Sequence, residues 1–572
     1  MTQTAKRAVA LQYDLEAKED VPVTIVCATL GFAKTVSGKL VATSEGKETS
    51  LPLPLNKGSL GTVSHATFRL ENAGDIGVDL TPPTEVSLDG DARIILASEK
   101  FPAGHKSVTL TLNFPSDVSL VTSPADAAKY TEPLAGPDWF AFTPSDDLSP
   151  SAIGMENWLE KPAGKRGGVR MAGDHFQLDD GTPIKFWGTN LAYASGCAPE
   201  KKIADFTAAR FAKYGINAVR LHKFTYPGGE GIGDRNDSTQ FDPKGLDRLD
   251  YFSSQLKDHG VYFGWSHTYG LRVRPGDRGR LLAYDEIVKA HKGGNTYGFI
   301  NFAPDVQDLM IESVVNLLKH KNPYTGLTYA HEPALCFIEL QNEDDIFFYT
   351  SAGALNGCPT YKKAFLQRFS QWLKGRYGSD ESLKKAWNGA IKPDESLAAG
   401  NIDVQLNPWF FSEDHLPKTQ GGEHQRLLDT AAFLHDVQDQ YYSRYVKAIR
   451  EAGYKGPING SPWQAPSGLP DLYNLKSDYA AGYIDRHNYF GGKFGQTMLD
   501  HPGSGYLSSG LQQVIDRPFG LSEWITVYPS LYSAEGPPMV AAYGLGLQGW
   551  DASYEFQSGA SAHVFSNTAG QQ

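Results

Sequence analysis

From about residue 165 onward, short apolar runs of strand length alternate with stretches of helical period. The strand-like runs fall at 184–191, 217–224, 261–269, 334–342, 457–463, 483–490, 519–524 and 545–550, eight in all. Between them apolar residues recur every three or four positions, as in Leu246, Leu249, Phe252 and Leu256, or Val306, Met310, Val314, Leu317 and Leu318. Parallel strands need a long crossover between them, and a helix is the usual one. The repeat therefore predicts an α/β fold, a (β/α)8 TIM barrel over 165–572. A doubly wound open sheet is the alternative, disfavoured because no glycine-rich phosphate loop follows the first run. The residues after 550 are rich in Ser, Ala and Gly and carry no apolar stripe. The barrel is thus expected either to be truncated after strand eight or to close on an irregular element.

The first third reads differently. Short, partly alternating segments at 23–28, 38–43, 66–70, 92–97 and 107–112 are separated by Gly, Pro, Asn and Asp. This predicts an N-terminal all-β, β-sandwich-like domain over 1–150, with the Pro-, Asp- and Ser-rich stretch 133–150 as connector. Two domains suit 572 residues. A formal charge of −12 without a basic stripe argues against a nucleic-acid partner. Four scattered cysteines, Cys27, Cys197, Cys336 and Cys358, form neither a disulfide scaffold nor a C-x-x-C pair. No run is long and apolar enough to span a bilayer, so no membrane partner is expected. The start, Met1 to Lys6, lacks the apolar core of a secretion signal, which leaves a cytosolic protein or one whose leader has been removed.

In a barrel of this kind the active site lies at the C-terminal ends of the strands. Read there, the run 334–342 leads into Asn342-Glu343, and 519–524 carries Glu523. Two carboxylates aimed at one point are the apparatus of glycoside hydrolysis. Around them the other strand ends offer Arg220, His222, His267, His487, Tyr489, Trp463 and Trp550, candidates for holding a carbohydrate substrate by hydrogen bonds or stacking. Glu339, inside the fourth run, is expected to make a buried structural bond, and Asp344 and Asp345 to solvate the loop.

With these residues in this order the chain resembles clan A of the glycoside hydrolases, the (β/α)8 group that includes cellulases, mannanases and β-galactosidases. The resemblance covers about residues 180 to 555 and includes Phe369, Trp372, Leu373, Tyr377, Gly378, Leu383 and Trp387, a segment similar to one in β-galactosidase-like members. It implies a retaining glycosidase with Glu343, after its Asn342, as acid/base and Glu523 as nucleophile. Arg220, the 487–489 region and a sugar-stacking Trp550 are implied as substrate-site residues. The N-terminal β region resembles no known module.

Such a pair needs neither organic cofactor nor metal. Two other readings compete with it. A metal-dependent barrel hydrolase could use the histidines, although no His-x-His pair ends strand one and no His-Glu-x-x-His occurs. A non-catalytic carbohydrate-binding protein could occupy the same scaffold, although both glutamates are present. Insertions at 271–302 and 389–424 are expected to wall the cleft, which favours a pocket or short cleft. Arg272, Arg274, Arg278 and Arg280 lie in the first and are expected to solvate a flexible loop; an acidic or sulfated sugar is the other reading. Sugar, linkage and oligomeric state are not legible.

Overall fold

The computed structural model describes all residues except 32–35, 45, 121–146, 464, 493–494, 501–502, 528–529 and 560–572. Most of the expected connector, and most of the segment after residue 550, therefore lie outside the described residues. The chain divides into two compact units, Met1–Phe142 and Thr143–Gln572. No described helix is long and apolar enough to cross a membrane.

The first unit is a single antiparallel sheet of eight strands. Two are far longer than the short segments expected, Leu55–Leu70 and Gly74–Phe101. The second of these pairs with the first along 74–90, with Gly104–Asn113 along 77–81 and with Val21–Leu30 along 92–101, so that one chain segment serves three neighbours. Alternation then sorts the side chains: Val108 and Leu110 point inward between half-buried Ser107, Thr109 and Thr111. They meet Leu40, Val63, Phe68, Leu80, Leu88 and Ile94 in one core.

The second unit is the barrel. Its strands are Phe186–Ala192, Ala218–His222, Tyr262–Ser266, Leu335–Glu339, Ile458–Asn459, Ile484–Gly491, Phe519–Val527 and Ala552–Glu555, here strands one to eight. All neighbours pair parallel in the order five-four-three-two-one-eight-seven-six, and a parallel bridge from Asn459 to Tyr483 joins five to six. Helices Lys201–Lys213, Pro243–Asp258, Pro304–Lys319, Pro359–Tyr377, Gly421–Glu451 and Leu469–Ala481 supply the crossovers. Three of these open on proline, which gives up no hydrogen bond at that position. The barrel interior is close-packed: a Cβ added at Gly264 would lie 2.0 Å from the Phe337 ring, so only glycine fits beside it.

Strand eight corrects the sequence reading. The apolar run 545–550 is not a strand: residues up to Leu547 close a helical segment, Met539–Leu547, and the strand begins at Ala552. A short apolar run does not distinguish a buried strand from a buried helix end. Trp550 consequently precedes the strand instead of ending it. It is fully buried, packs on Phe519 with ring centroids 5.2 Å apart, and donates to Gln513 Oε1 at 3.1 Å. It lies at the start of the strands, where Asp551 N donates to Phe519 O, and cannot serve as a sugar platform at their ends.

Candidate active site

Arg220, in the middle of strand two, organises the barrel's C-terminal mouth. It is completely buried, and a guanidinium removed from water must be paired. Its Nε and Nη2 each donate to Glu339 at 3.0 Å, a two-point fork that fits the planar head. Nη1 donates to Asn190 Oδ1 at 2.8 Å and to Glu523 Oε1 at 2.6 Å. Nη2 also reaches Ser266 Oγ at 2.9 Å and Asn342 Oδ1 at 2.6 Å. One cation thereby ties together strands one, two, three, four and seven.

Glu523 projects from strand seven into this network. Besides Arg220, its Oε2 accepts a short bond from the Tyr489 hydroxyl at the end of strand six. His487 Nδ1 is 3.5 Å from Oε2, and His222 Nε2 is 3.8 Å from Oε1. Burial pushes the Glu523 carboxyl up, but His487, Arg220 and Tyr489 outweigh it and hold the group below the ordinary glutamate value.

Glu343 faces it from the loop after strand four, the strand itself ending at Glu339. Its backbone is left-handed, φ +52°, a conformation that costs an L-residue roughly 1–2 kcal/mol and is concentrated at functional sites. Its Oε1 is 2.7 Å from His487 Nδ1, whose Nε2 is 3.0 Å from Ser522 Oγ. Burial works against charging His487, yet Glu523 and Glu343 prevail and raise its pKa above the ordinary histidine value, with the ring lying between the two acids. His222 goes the other way: burial and Arg220 hold it neutral, with Nδ1 2.7 Å from Ser266 Oγ.

The loop that carries Glu343 is held from below. Asp344 is fully buried and accepts from Gly298 N at 2.7 and 3.0 Å and from the Thr350 hydroxyl. Burial raises its pKa well above the carboxylate range. Asp345, also buried, accepts from Phe347 N at 2.7 Å and is pushed up to about 7, by burial first. Both acids are loop anchors, which replaces the expectation that they solvate it.

Seven of the sequence candidates therefore stand together: Glu343, Glu523, Asn342, Arg220, His222, His487 and Tyr489. Three stand apart. His267 bonds Tyr445 of the long helix at 3.1 Å, and burial lowers its pKa to about 3. Trp463 packs edge-on against Phe348, ring centroids 5.1 Å apart. Trp550 is at the other end of the barrel. The aromatic that strand eight does deliver is Phe556, whose ring lies 6.2 Å from His222 and 6.3 Å from Tyr489. Sequence reading missed it because the strand was placed several residues too early. Asn190, Ser266 and Ser522 were also missed; their one signal was position, each at an inward place near a strand end.

The arginines of the 271–302 insertion pair locally. Arg272 bonds Glu230, Arg278 bonds Asp285 and Arg280 bonds Glu312. Arg274 is buried and donates to the carbonyls of Asp234, Asp237 and Thr225, so it ties backbone together instead of solvating a loop.

Glu343, His487 and Glu523 offer ligand atoms that all lie within 4.8 Å of one another, a spacing that a divalent cation could bridge. Arg220 and Tyr489 already occupy both oxygens of Glu523, and a cation there would meet a guanidinium 2.6 Å from its ligand. The same spacing serves two carboxylates that act on one bond.

No protein-family model matches the chain, and no curated protein does. Among solved structures it is similar to an exo-β-agarase, at 12% identity and a TM-score of 0.41, over 97% of this chain and 88% of that one. It is similar to the β-galactosidase from the psychrophilic Marinomonas ef1 at 15% identity and a TM-score of 0.39, over 65% and 54% of the two chains. An endo-1,4-β-mannanase from Rhizomucor miehei is similar at 15% identity and a TM-score of 0.33, over 68% and 90%.

Proposed function

We propose that this protein is a retaining β-glycoside hydrolase that cleaves β-linked poly- or oligosaccharides through Glu523 and Glu343. The observation that carries the reading is the approach of their oxygens to within 4.8 Å in unlike surroundings. Retaining enzymes keep their carboxyl groups about 5–5.5 Å apart, whereas inverting enzymes leave roughly 6.5–9.5 Å for a water. Glu523, held ionised by Arg220 and Tyr489, attacks the anomeric carbon. The bond to the leaving oxygen breaks, and Glu343 gives that oxygen its proton. The glycosyl ester neutralises Glu523, and Glu343, now a carboxylate, takes a proton from water as the water oxygen attacks the same carbon. The carbon–Glu523 bond breaks, and both carboxyls return to their starting states. Asn342, fixed by Arg220, is placed for a sugar hydroxyl, and His487 keeps Glu343 aimed.

Turnover of aryl β-glycosides and β-linked polysaccharides by wild type, Glu343→Ala and Glu523→Ala tests this. The Glu343 variant should retain activity on substrates with activated leaving groups and gain rate with added azide, while the Glu523 variant should not. Wild-type rates in both variants would overturn the assignment. A metal-dependent reading draws on the same triad, and loss of activity on chelation, restored by a divalent cation, would favour it.

A further inference from the structure

We infer that Lys223 gives this site a preference for sugars bearing an anionic substituent, a carboxylate or a sulfate ester; this deepens the glycosidase reading and rests on it. Lys223 immediately follows His222, the residue 3.8 Å from Glu523. It leaves strand two in the left-handed region, φ +56°, a cost that an exposed loop lysine has no reason to bear. Its ammonium is held 5.0 Å over the ring of Tyr269. Tyr269 feels the loop after strand four: after burial, the charges of Asp344 and Glu343 are what push its phenol up. Tyr269 continues into Tyr297, ring centroids 4.8 Å apart, whose hydroxyl is 3.0 Å from that of Tyr226. Tyr226 faces Tyr193, which is 41% exposed at the end of strand one. The mouth over strands one to three is thus a tyrosine wall with an ammonium at its inner edge.

The distinguishing point is pairing. Arg220 answers to Glu339 and Glu523, Arg272 to Glu230, and Arg486 to Asp478. Lys223 is half-buried, and its side chain makes no hydrogen bond or ion pair among the described residues. A protein of net charge −12 does not attract anions as a whole. A cation without an ion-pair partner, over Tyr269 and next in the chain to His222, supplies that attraction locally, and an ammonium on a flexible stem suits either a carboxylate or a sulfate as a point charge.

The test is the ratio of kcat/KM on matched anionic and neutral substrates. One arm compares β-linked uronic-acid oligosaccharides with their carboxyl-reduced forms; the other compares sulfated β-galactan oligosaccharides with desulfated ones. Wild type should favour the anionic member in one arm, and that arm names the substituent. In Lys223→Met the ratio should fall about tenfold, in Lys223→Arg it should recover, and in wild type it should shrink as salt rises. An unchanged ratio in Lys223→Met, or a wild-type ratio of one or less in both arms, overturns the inference. Should wild type cleave no member, calorimetric titration of the same pairs into Glu343→Gln decides Lys223 separately from the glycosidase reading, which the broad substrate panel tests. Tighter binding of the anionic member, abolished by adding Lys223→Met, supports it; equal binding overturns it.

Discussion

At the scale of single residues, His487, Arg220 and Tyr489 together hold Glu523 below the ordinary glutamate value, and His487 also aims Glu343. Tyr489→Phe removes a donor to Glu523 that matters most as the carboxylate's charge changes. It should lower kcat roughly 10²-fold with little change in KM. The acidic limb of the rate profile should also move to higher pH, because Tyr489 is one of the three groups that hold Glu523 low. His487 links the site to stability with the opposite sign. Its pKa is raised on folding, so its contribution is complete below the unfolded value of about 6.5 and is lost as pH rises through the higher folded value. Urea unfolding should therefore show wild type losing stability above about pH 6.5 relative to His487→Gln. Glu523, lowered on folding, contributes above about pH 4.3 and loses that contribution as pH falls below it. Arg220→Met takes the one guanidinium from buried Glu339 and Glu523 and should cost about 3–5 kcal/mol in denaturant unfolding, a loss Lys cannot fully restore without the two-point fork.

At the scale of elements, the loop after strand four is the most exposed to test. Asp344 accepts from Gly298 N and the Thr350 hydroxyl, so Asp344→Ala leaves buried donors without partners, at about 1–3 kcal/mol each. The expected outcome is a lower midpoint of thermal unfolding together with a fall in kcat, as Glu343 loses the anchor next to it. This anchor also marks where sequence reading ran out. Asp344 beside Glu343 has the look of a solvated loop acid, and only the fold reveals Gly298 beneath it. Strands two, four, six and seven could be read because an apolar run leads into chemically distinctive groups, Arg220 and His222, Glu343, His487 or Glu523. Strand five could be located but not sized, since Ile458–Asn459 is its whole extent. Strand eight, Ala552–Glu555, is polar at alternate positions and was outshone by the apolar helix end before it, which put Trp550 in the place that belongs to Phe556. The 31-residue helix Gly421–Glu451 escaped for a related reason: its buried face is built from tyrosines, threonine, aspartate and histidine as much as from aliphatics.

At the scale of the whole molecule, the alternation of strand and helix carried the architecture, because a parallel barrel repeats one local rule many times and tolerates an error at any one strand. The site was legible for the same reason: a barrel gathers the ends of distant strands, so Arg220, Glu343, His487 and Glu523 meet although they span much of the chain. What repetition does not encode is the wall of loop tyrosines and the unpaired Lys223, and substrate choice rests on those. The central claim is that Glu523 forms a covalent bond to the sugar, and trapping it is the most direct measurement. Wild type incubated with activated 2-deoxy-2-fluoro-β-glycosides should gain the mass of one glycosyl group, and peptide fragmentation should place that mass on Glu523. Glu523→Ala should gain none. A label on Glu343 or on neither carboxylate, with the substrate still hydrolysed, would contradict the account.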